Sequence, residues 1–108
     1  MAKENLIRKR AIEILEKEKW SCWFAPKVKF HETDIFGIAD LICCRKSKIK
    51  FIQLTTIPNV SYKRKKIINF LKKHKVVLPI EIWVWSNKRK SFKIEKANLK
   101  IKRRRVGA

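Results

Sequence analysis

Two aspartates and one glutamine stand where polar side chains are costly and oxygen ligands are useful. Asp40 lies inside Phe36-Gly37-Ile38-Ala39-Asp40-Leu41-Ile42-Cys43-Cys44, an apolar run of strand character, and Asp34 stands six residues earlier. A carboxylate among such neighbours is expensive to bury unless a metal ion, a cation or hydrogen bonds compensate it. The polar stretch Arg45-Lys46-Ser47-Lys48 then separates this run from a second one, Ile49 to Thr56. The two read as a hairpin. With Lys46 and Ser47 at its tip, Asp40 faces Gln53 and Ile38 faces Thr55, so Asp40, Gln53 and Thr55 share one face. A slip of one residue would send Gln53 to the other face. Oxygen donors from adjacent strands suit a hard cation, Mg2+ or Mn2+, with water completing its shell. Such an ion can activate water and stabilise the leaving oxygen of a phosphodiester. A plainer reading competes: Asp40 pairs with one of the 29 basic residues. Asp34 is either a further metal contact or a polar turn residue, and Thr55 and Thr56 are good strand formers in any case.

The elements that would position these residues follow from periodicity. Ile7, Ala11, Ile14 and Leu15 recur at helical spacing, which predicts a helix over ~4–19. Trp20 to Phe24 suits a short strand, Val28 to Thr33 a loop or irregular strand, and Ile35 to Cys44 a buried strand. After the hairpin, Pro58-Asn59 marks a break. A helix from about Ser61 to His74 follows, capped by Ser61 or Asn59, with Ile67, Ile68, Phe70 and Leu71 towards the core. Ile80 to Trp85 and Ser91 to Ala97 read as two further strands around the turn 86–90. The order α-β-β-β-α-β-β implies an α/β fold, a central mixed sheet flanked by helices. Residues 1–99 form one domain, and residues 100–108 form a basic, mobile tail.

Twenty-nine Lys and Arg stand against nine Asp and Glu, a formal charge of +20 on 108 residues. Hydrophobic residues make up 45% of the chain, so it folds rather than serving as a disordered basic tail. So much like charge repels itself and is best explained by a polyanionic partner. Nucleic acid leads, because each phosphate covered by Lys or Arg releases a condensed counterion. Candidate phosphate contacts are Lys63, Arg64 and Lys66 on the second helix, Lys88, Arg89 and Lys90 at the last turn, and Arg103, Arg104 and Arg105 in the tail. These position a backbone and read no sequence. No stretch approaches the ~20 apolar residues of a membrane span, and no apolar signal core follows Met1, which implies an intracellular protein that avoids membranes. Cys22, Cys43 and Cys44 agree with a reducing compartment and read as structural filler. Cys43 and Cys44 are neighbours on a strand and point to opposite faces. Trp20, Trp23, Trp83 and Trp85 admit base stacking, but packing under a helix is the commoner use, and a dimer interface is a further reading. His31 and His74 are isolated and read as surface or structural.

The strings Asp34-Ile35-Phe36-Gly37-Ile38-Ala39-Asp40-Leu41-Ile42 and Phe51-Ile52-Gln53-Leu54-Thr55-Thr56 resemble the core of the PD-(D/E)xK nuclease superfamily. The likeness is to its small archaeal and viral Holliday junction resolvase-like members, and the element order over ~4–97 agrees with theirs. The resemblance implies a restriction-endonuclease-like core and a Mg2+- or Mn2+-dependent DNA endonuclease, selective for branched or double-stranded DNA. It further implies a homodimer in the cytoplasm of a prokaryote or of a virus-infected cell. Asp40 matches the family's metal-binding aspartate, and Gln53 matches a known variant of the second ligand. Thr55 stands where the motif lysine belongs, and family members sometimes supply that lysine from a neighbouring helix, as Lys63 or Lys66 would here. Lys50 points away from the Asp40 face. Arg8 stands where family resolvases carry a first-helix glutamate, and Glu4 is the nearest substitute. Two rivals remain: a catalytically inert nucleic-acid-binding protein on the same fold, and a structural RNA-associated basic protein.

Overall fold

The computed structural model describes residues 2–24 and 35–97, with side chains in the first helix from Leu6 onward. Val28 to Thr33, His31, Asp34, the side chain of Glu4 and the tail with Arg103, Arg104 and Arg105 lie outside the described residues. Two helices and five strands follow one another as α1 (Ala2–Lys17), β1 (Ser21–Trp23), β2 (Leu41–Arg45), β3 (Lys48–Thr56), α2 (Val60–His74), β4 (Ile80–Ser86) and β5 (Ser91–Lys96). A short 3-10 turn, Ile57–Asn59, precedes α2. The strands form one mixed sheet in sequence order. β3 and β4 pair in parallel and every other neighbouring pair is antiparallel. A parallel pair requires a long crossover, and α2 supplies it. The α/β architecture expected of the alternating pattern is observed.

Each helix buries a stripe on its own face of the sheet. Ile7, Ala11 and Leu15 are buried at four-residue spacing along α1. Ala11 and Leu15 pack with Trp20, Leu41, Cys43, Ile52 and Trp83. From α2, Ile67 and Leu71 pack on the opposite face with Phe51, Ile80, Ile82 and Val84. The period-2 alternation of a strand produces this division. Along β3, Phe51, Gln53 and Thr55 turn to α2, while Ile52 and Leu54 turn to α1.

The helix ends carry no glycine. Lys19 follows α1 and Lys75 follows α2, each at positive φ (73° and 54°). Trp20 N–H donates to Leu15 O (3.0 Å) and Val76 N–H to Leu71 O (3.2 Å). These six-residue closures satisfy carbonyls that the last helical turn leaves open. A lysine in the left-handed region costs energy that glycine avoids. Lys75→Gly is therefore expected to raise stability by ~1 kcal/mol, seen as a higher urea midpoint. An unchanged or lower midpoint would refute strain at this cap.

The predicted strand over Ile35–Cys44 is corrected by the structure: β2 begins only at Leu41. Residues Ile35 to Ala39 fold into a tight turn instead. Ile35 N–H donates to Ala39 O (2.7 Å), and Ile38 and Ala39 N–H both donate to Ile35 O (3.0 and 3.1 Å). Phe36 and Gly37 take positive φ (56° and 71°) at its head. Gly37 makes such a turn possible, since it lacks the Cβ that resists this conformation. Phe36 has no such freedom. Its ring packs instead near Phe51 and Phe70, at centroid distances of 6.1 and 5.6 Å.

Candidate functional site

Asp40 ends the turn and opens β2. Its N–H donates to Ile52 O (2.8 Å), the residue already paired with Leu41, so Asp40 lies just outside the regular ladder. The register Leu41↔Ile52 and Arg45↔Lys48 is the one expected from a Lys46-Ser47 tip. It sets Asp40 beside Gln53. The amide Nε2 of Gln53 donates to Asp40 Oδ2 at 2.6 Å and to Leu54 O at 2.9 Å. Leu54 N–H donates to the same carboxylate oxygen at 2.8 Å. Asp40 is half-buried, whereas Gln53 is only 1% exposed.

The other end of that amide is unsatisfied. Gln53 Oε1 is buried with no hydrogen-bond partner among the described residues. A buried acceptor left in this condition costs about 1–3 kcal/mol. Such sites recur where a protein retains a polar group for a ligand, an ion or a water. Thr55 lies two residues further along the same face, also buried, and its hydroxyl reaches only Thr56 O at 3.5 Å. Asp40 and Gln53 thus present a carboxylate and an amide oxygen from adjacent strands, donors that suit a hard cation. Among the described residues no three His, Cys, Asp or Glu side chains cluster as a metal site. Gln53 falls outside those residue types, and Asp34 lies outside the described residues.

α2 covers this face. It starts beyond Thr56 and returns along β3, because β4 runs parallel to β3. Thr56 back to Gln53 is roughly 10 Å of strand, and Val60 to Lys66 is roughly 9 Å of helix. The first two turns of α2 thus cover about the same length as Gln53 to Thr56. Lys63 stands one turn before buried Ile67, and Lys66 one turn before Phe70. Both lysines are half-buried, and both ammonium groups lie 5.9 Å from the Tyr62 ring. No acidic residue occupies the first turn, and the N-cap Asn59 makes no side-chain capping bond. Asn59 instead donates to Thr56 Oγ1 at 3.2 Å.

Arg64 is placed differently from its neighbours. It holds Glu95 of β5 through Nε (2.5 Å) and Nη2 (3.0 Å). Hydrogen bonds from Arg64 keep the Glu95 carboxyl below its ordinary 4.5. A depressed carboxylate adds stability above its unfolded pKa and loses it as the pH falls through the folded value. Wild-type protein should therefore lose, below about pH 4.5, a small increment that Glu95→Gln lacks. Urea midpoints of the two proteins at pH 7 and pH 3 measure it, and equal shifts would refute the linkage.

Lys88, Arg89 and Lys90 are exposed at the β4–β5 turn. That turn is held by Arg89 N–H to Ser86 Oγ (3.2 Å) and Lys90 N–H to Ser86 O (2.7 Å). Lys88 also edges an open groove with Pro58 and Trp85. Lys50 lies on the α1 face, as its register implied. It pairs with Glu81 (3.2 Å) and sits 4.2 Å above the Trp20 ring. α1 packs on the face opposite Gln53, and the Arg8 guanidinium stacks over Phe24 at 4.2 Å. The first helix therefore approaches the sheet from the side away from the Asp40–Gln53 pair. Trp83 is packed on the α1 face and Trp85 is buried beside Phe92 (5.0 Å), while Trp23 is 55% exposed. His74 stacks on Phe70 at 4.4 Å.

Two features escaped the sequence. The turn at Ile35–Ala39 had one signal, the isolated Gly37 in a strand-like run. The meeting of Cys22 and Cys43 had none, because it depends on how β1 pairs with β2. No helix among the described residues is long and apolar enough to cross a membrane. No protein-family model matches the sequence, and a search of curated proteins finds no significant match.

Proposed function

We propose that this chain is a metal-dependent DNA endonuclease of the PD-(D/E)xK, restriction-endonuclease-like kind. The observation that carries the reading is the Asp40–Gln53 pair. A buried glutamine donates one end to the adjacent Asp40 and keeps its carbonyl oxygen buried without a partner among the described residues. An apolar residue would avoid that cost. Asp40 and Gln53, joined by Asp34, are the residues that would hold Mg2+ or Mn2+. When bound, the ion supplies Lewis acidity at the scissile phosphate and makes a neighbouring water a stronger acid.

The chain's own residues do the rest. Leu54 N–H and the Gln53 amide fix the Asp40 carboxylate through two hydrogen bonds to Oδ2. Lys63 or Lys66, in the first two turns of α2, replaces the motif lysine whose place Thr55 takes. Either ammonium can orient the attacking water or offset charge on the phosphate. Lys88, Arg89, Lys90 and the tail arginines Arg103, Arg104 and Arg105 hold the DNA backbone. Because these charges are spread widely, recognition of shape, such as a branch point, suits the surface better than base readout. Pairing of two chains as a homodimer belongs to the same proposal.

A second reading is favoured by Thr55: a nucleic-acid-binding protein on this fold with no catalysis. One experiment separates the two. Purified protein is incubated with labelled four-way junction, flap and plain duplex DNA in Mg2+, Mn2+ or EDTA. Cleavage that requires metal supports the nuclease. Binding without cleavage in every condition leaves the inert module. RNA-selective binding would favour a structural RNA-associated protein. If Lys63 and Lys66 face the phosphate, Lys63→Ala and Lys66→Ala should each lower the slope of log affinity against log salt by about 1. Whichever serves catalysis should also slow cleavage by ~100-fold or more. Unchanged slopes and rates in both variants would remove α2 from the site.

A further inference from the structure

We propose that Cys22 and Cys43 are the site of an intramolecular disulfide, formed by exchange with a small-molecule disulfide, that staples the edge strand β1 to β2. The two residues are register partners on antiparallel strands. Directly opposed residues on such strands have Cα atoms ~4.5–5.5 Å apart, within the ~4.4–6.8 Å range that a disulfide spans. Both side chains turn to the α1 face, where Cys43 belongs to the buried cluster and Cys22 packs against it. All three cysteines are free thiols, and Cys43 Sγ donates to Cys22 Sγ at 3.3 Å. Cys44 is exposed on the opposite side of β2.

The next position in the same row is Lys50, the partner of Cys43 on β3. Its ammonium favours the thiolate form of both cysteines, but burial outweighs it and holds both thiols above their ordinary pKa. Both thiols therefore favour the protonated form, and their oxidation should quicken as the pH rises. Cys22 is the half-buried member, so an oxidant reaches it first.

The chemistry balances with a low-molecular-weight disulfide such as oxidised glutathione. The Cys22 thiolate attacks one glutathione sulfur, a mixed disulfide forms, and the first glutathione leaves as its thiolate. Cys43 then gives up its proton and attacks Cys22 Sγ, and the second glutathione leaves. Two protein thiols lose two electrons and two protons, and one glutathione disulfide becomes two thiols. The second step is intramolecular between sulfurs already in contact, which favours it over release of the mixed disulfide. The bond closes a ring over residues 22–43, so both ends of the segment that carries Asp34 and Asp40 are tied together. It would also pin β1, a strand of only three residues at the sheet edge.

The test uses the full chain with Cys44→Ser, which removes the exposed thiol. Folded protein is incubated with oxidised glutathione at pH 7 and pH 8.5, quenched with iodoacetamide, and read by intact mass and peptide mapping. The expected product is a Cys22–Cys43 cross-linked peptide with no retained glutathione, formed several-fold faster at pH 8.5. Its melting temperature should exceed that of the reduced protein by ~4 °C or more. Adding Cys22→Ser, a change at the half-buried position, should abolish both the cross-link and the shift. Two alkylated thiols after prolonged incubation at pH 8.5 would overturn the proposal. So would glutathione retained on Cys22, because it would mean the two sulfurs cannot close.

Discussion

If the chain is the proposed nuclease, Asp40→Asn is expected to lower metal-dependent DNA cleavage by ~100-fold or more while leaving DNA binding within about twofold. The reason lies in what the carboxylate does. Its Oδ2 accepts from Leu54 N–H and from Gln53 Nε2, so the side chain is held by both the backbone and a buried amide. Asparagine can still offer one oxygen to those donors, at a loss of about 1 kcal/mol as charge assistance disappears. It cannot supply the negative charge that a divalent cation requires. Alanine would be a poorer probe, because it removes the acceptor as well and leaves two donors without a partner. On the proposed reading the DNA contacts belong to lysines and arginines elsewhere, so affinity should persist. Cleavage rates and fluorescence-anisotropy affinities of the two proteins, with a urea titration to verify folding, decide the matter. Cleavage by Asp40→Asn at the wild-type rate would show that the carboxylate holds no ion and would remove the site.

Trp83→Ala should produce the largest loss of stability of any single tryptophan change, about 3–5 kcal/mol, with the melting temperature falling by more than ~10 °C. Trp83 is 2% exposed and lies in the cluster of Leu15, Leu41 and Ile52, edge-on to Phe92 at 5.2 Å. Its indole N–H donates to Glu81 Oε1 at 3.0 Å, so even the polar corner of the ring is satisfied. Truncation would open a cavity between α1 and the sheet and leave Glu81 without one of its partners. Trp23→Ala is the control, since that ring is 55% exposed at the sheet edge and its loss should fall within ~0.5 kcal/mol. Equal effects of the two changes would mean that Trp83 is a surface ring and that the α1 face is not a core.

Several parts of this molecule could be read from residues alone. Helical period and apolar runs are local, so Ile7, Ala11 and Leu15 announced α1, and the apolar content of Ile49 to Thr56 announced β3. The hairpin register was also local. A two-residue tip leaves few ways to pair, and that choice alone set Asp40 beside Gln53 and sent Lys50 to the other face. Chain reversals were less legible. Lys19 and Lys75 sit where glycine usually ends a helix, and Phe36 shares the left-handed turn with Gly37. Apart from the isolated Gly37, no residue preference marks such positions in advance. What holds them is packing or the closing hydrogen bonds of a finished helix.

The sequence by itself determined the α/β order, the facing of Asp40 and Gln53, and a formal charge of +20. All three depend on neighbours in the chain or on composition. Only the tertiary structure decided that α1 and α2 lie on opposite faces, which puts α2, rather than the first helix, on the side of Gln53. It alone tied Arg64 to Glu95, left Gln53 Oε1 buried without a partner among the described residues, and brought Cys22 against Cys43. Those outcomes join residues far apart in the chain. Their placement is set by which faces bury apolar area together, a property of the assembled sheet and not of any one segment.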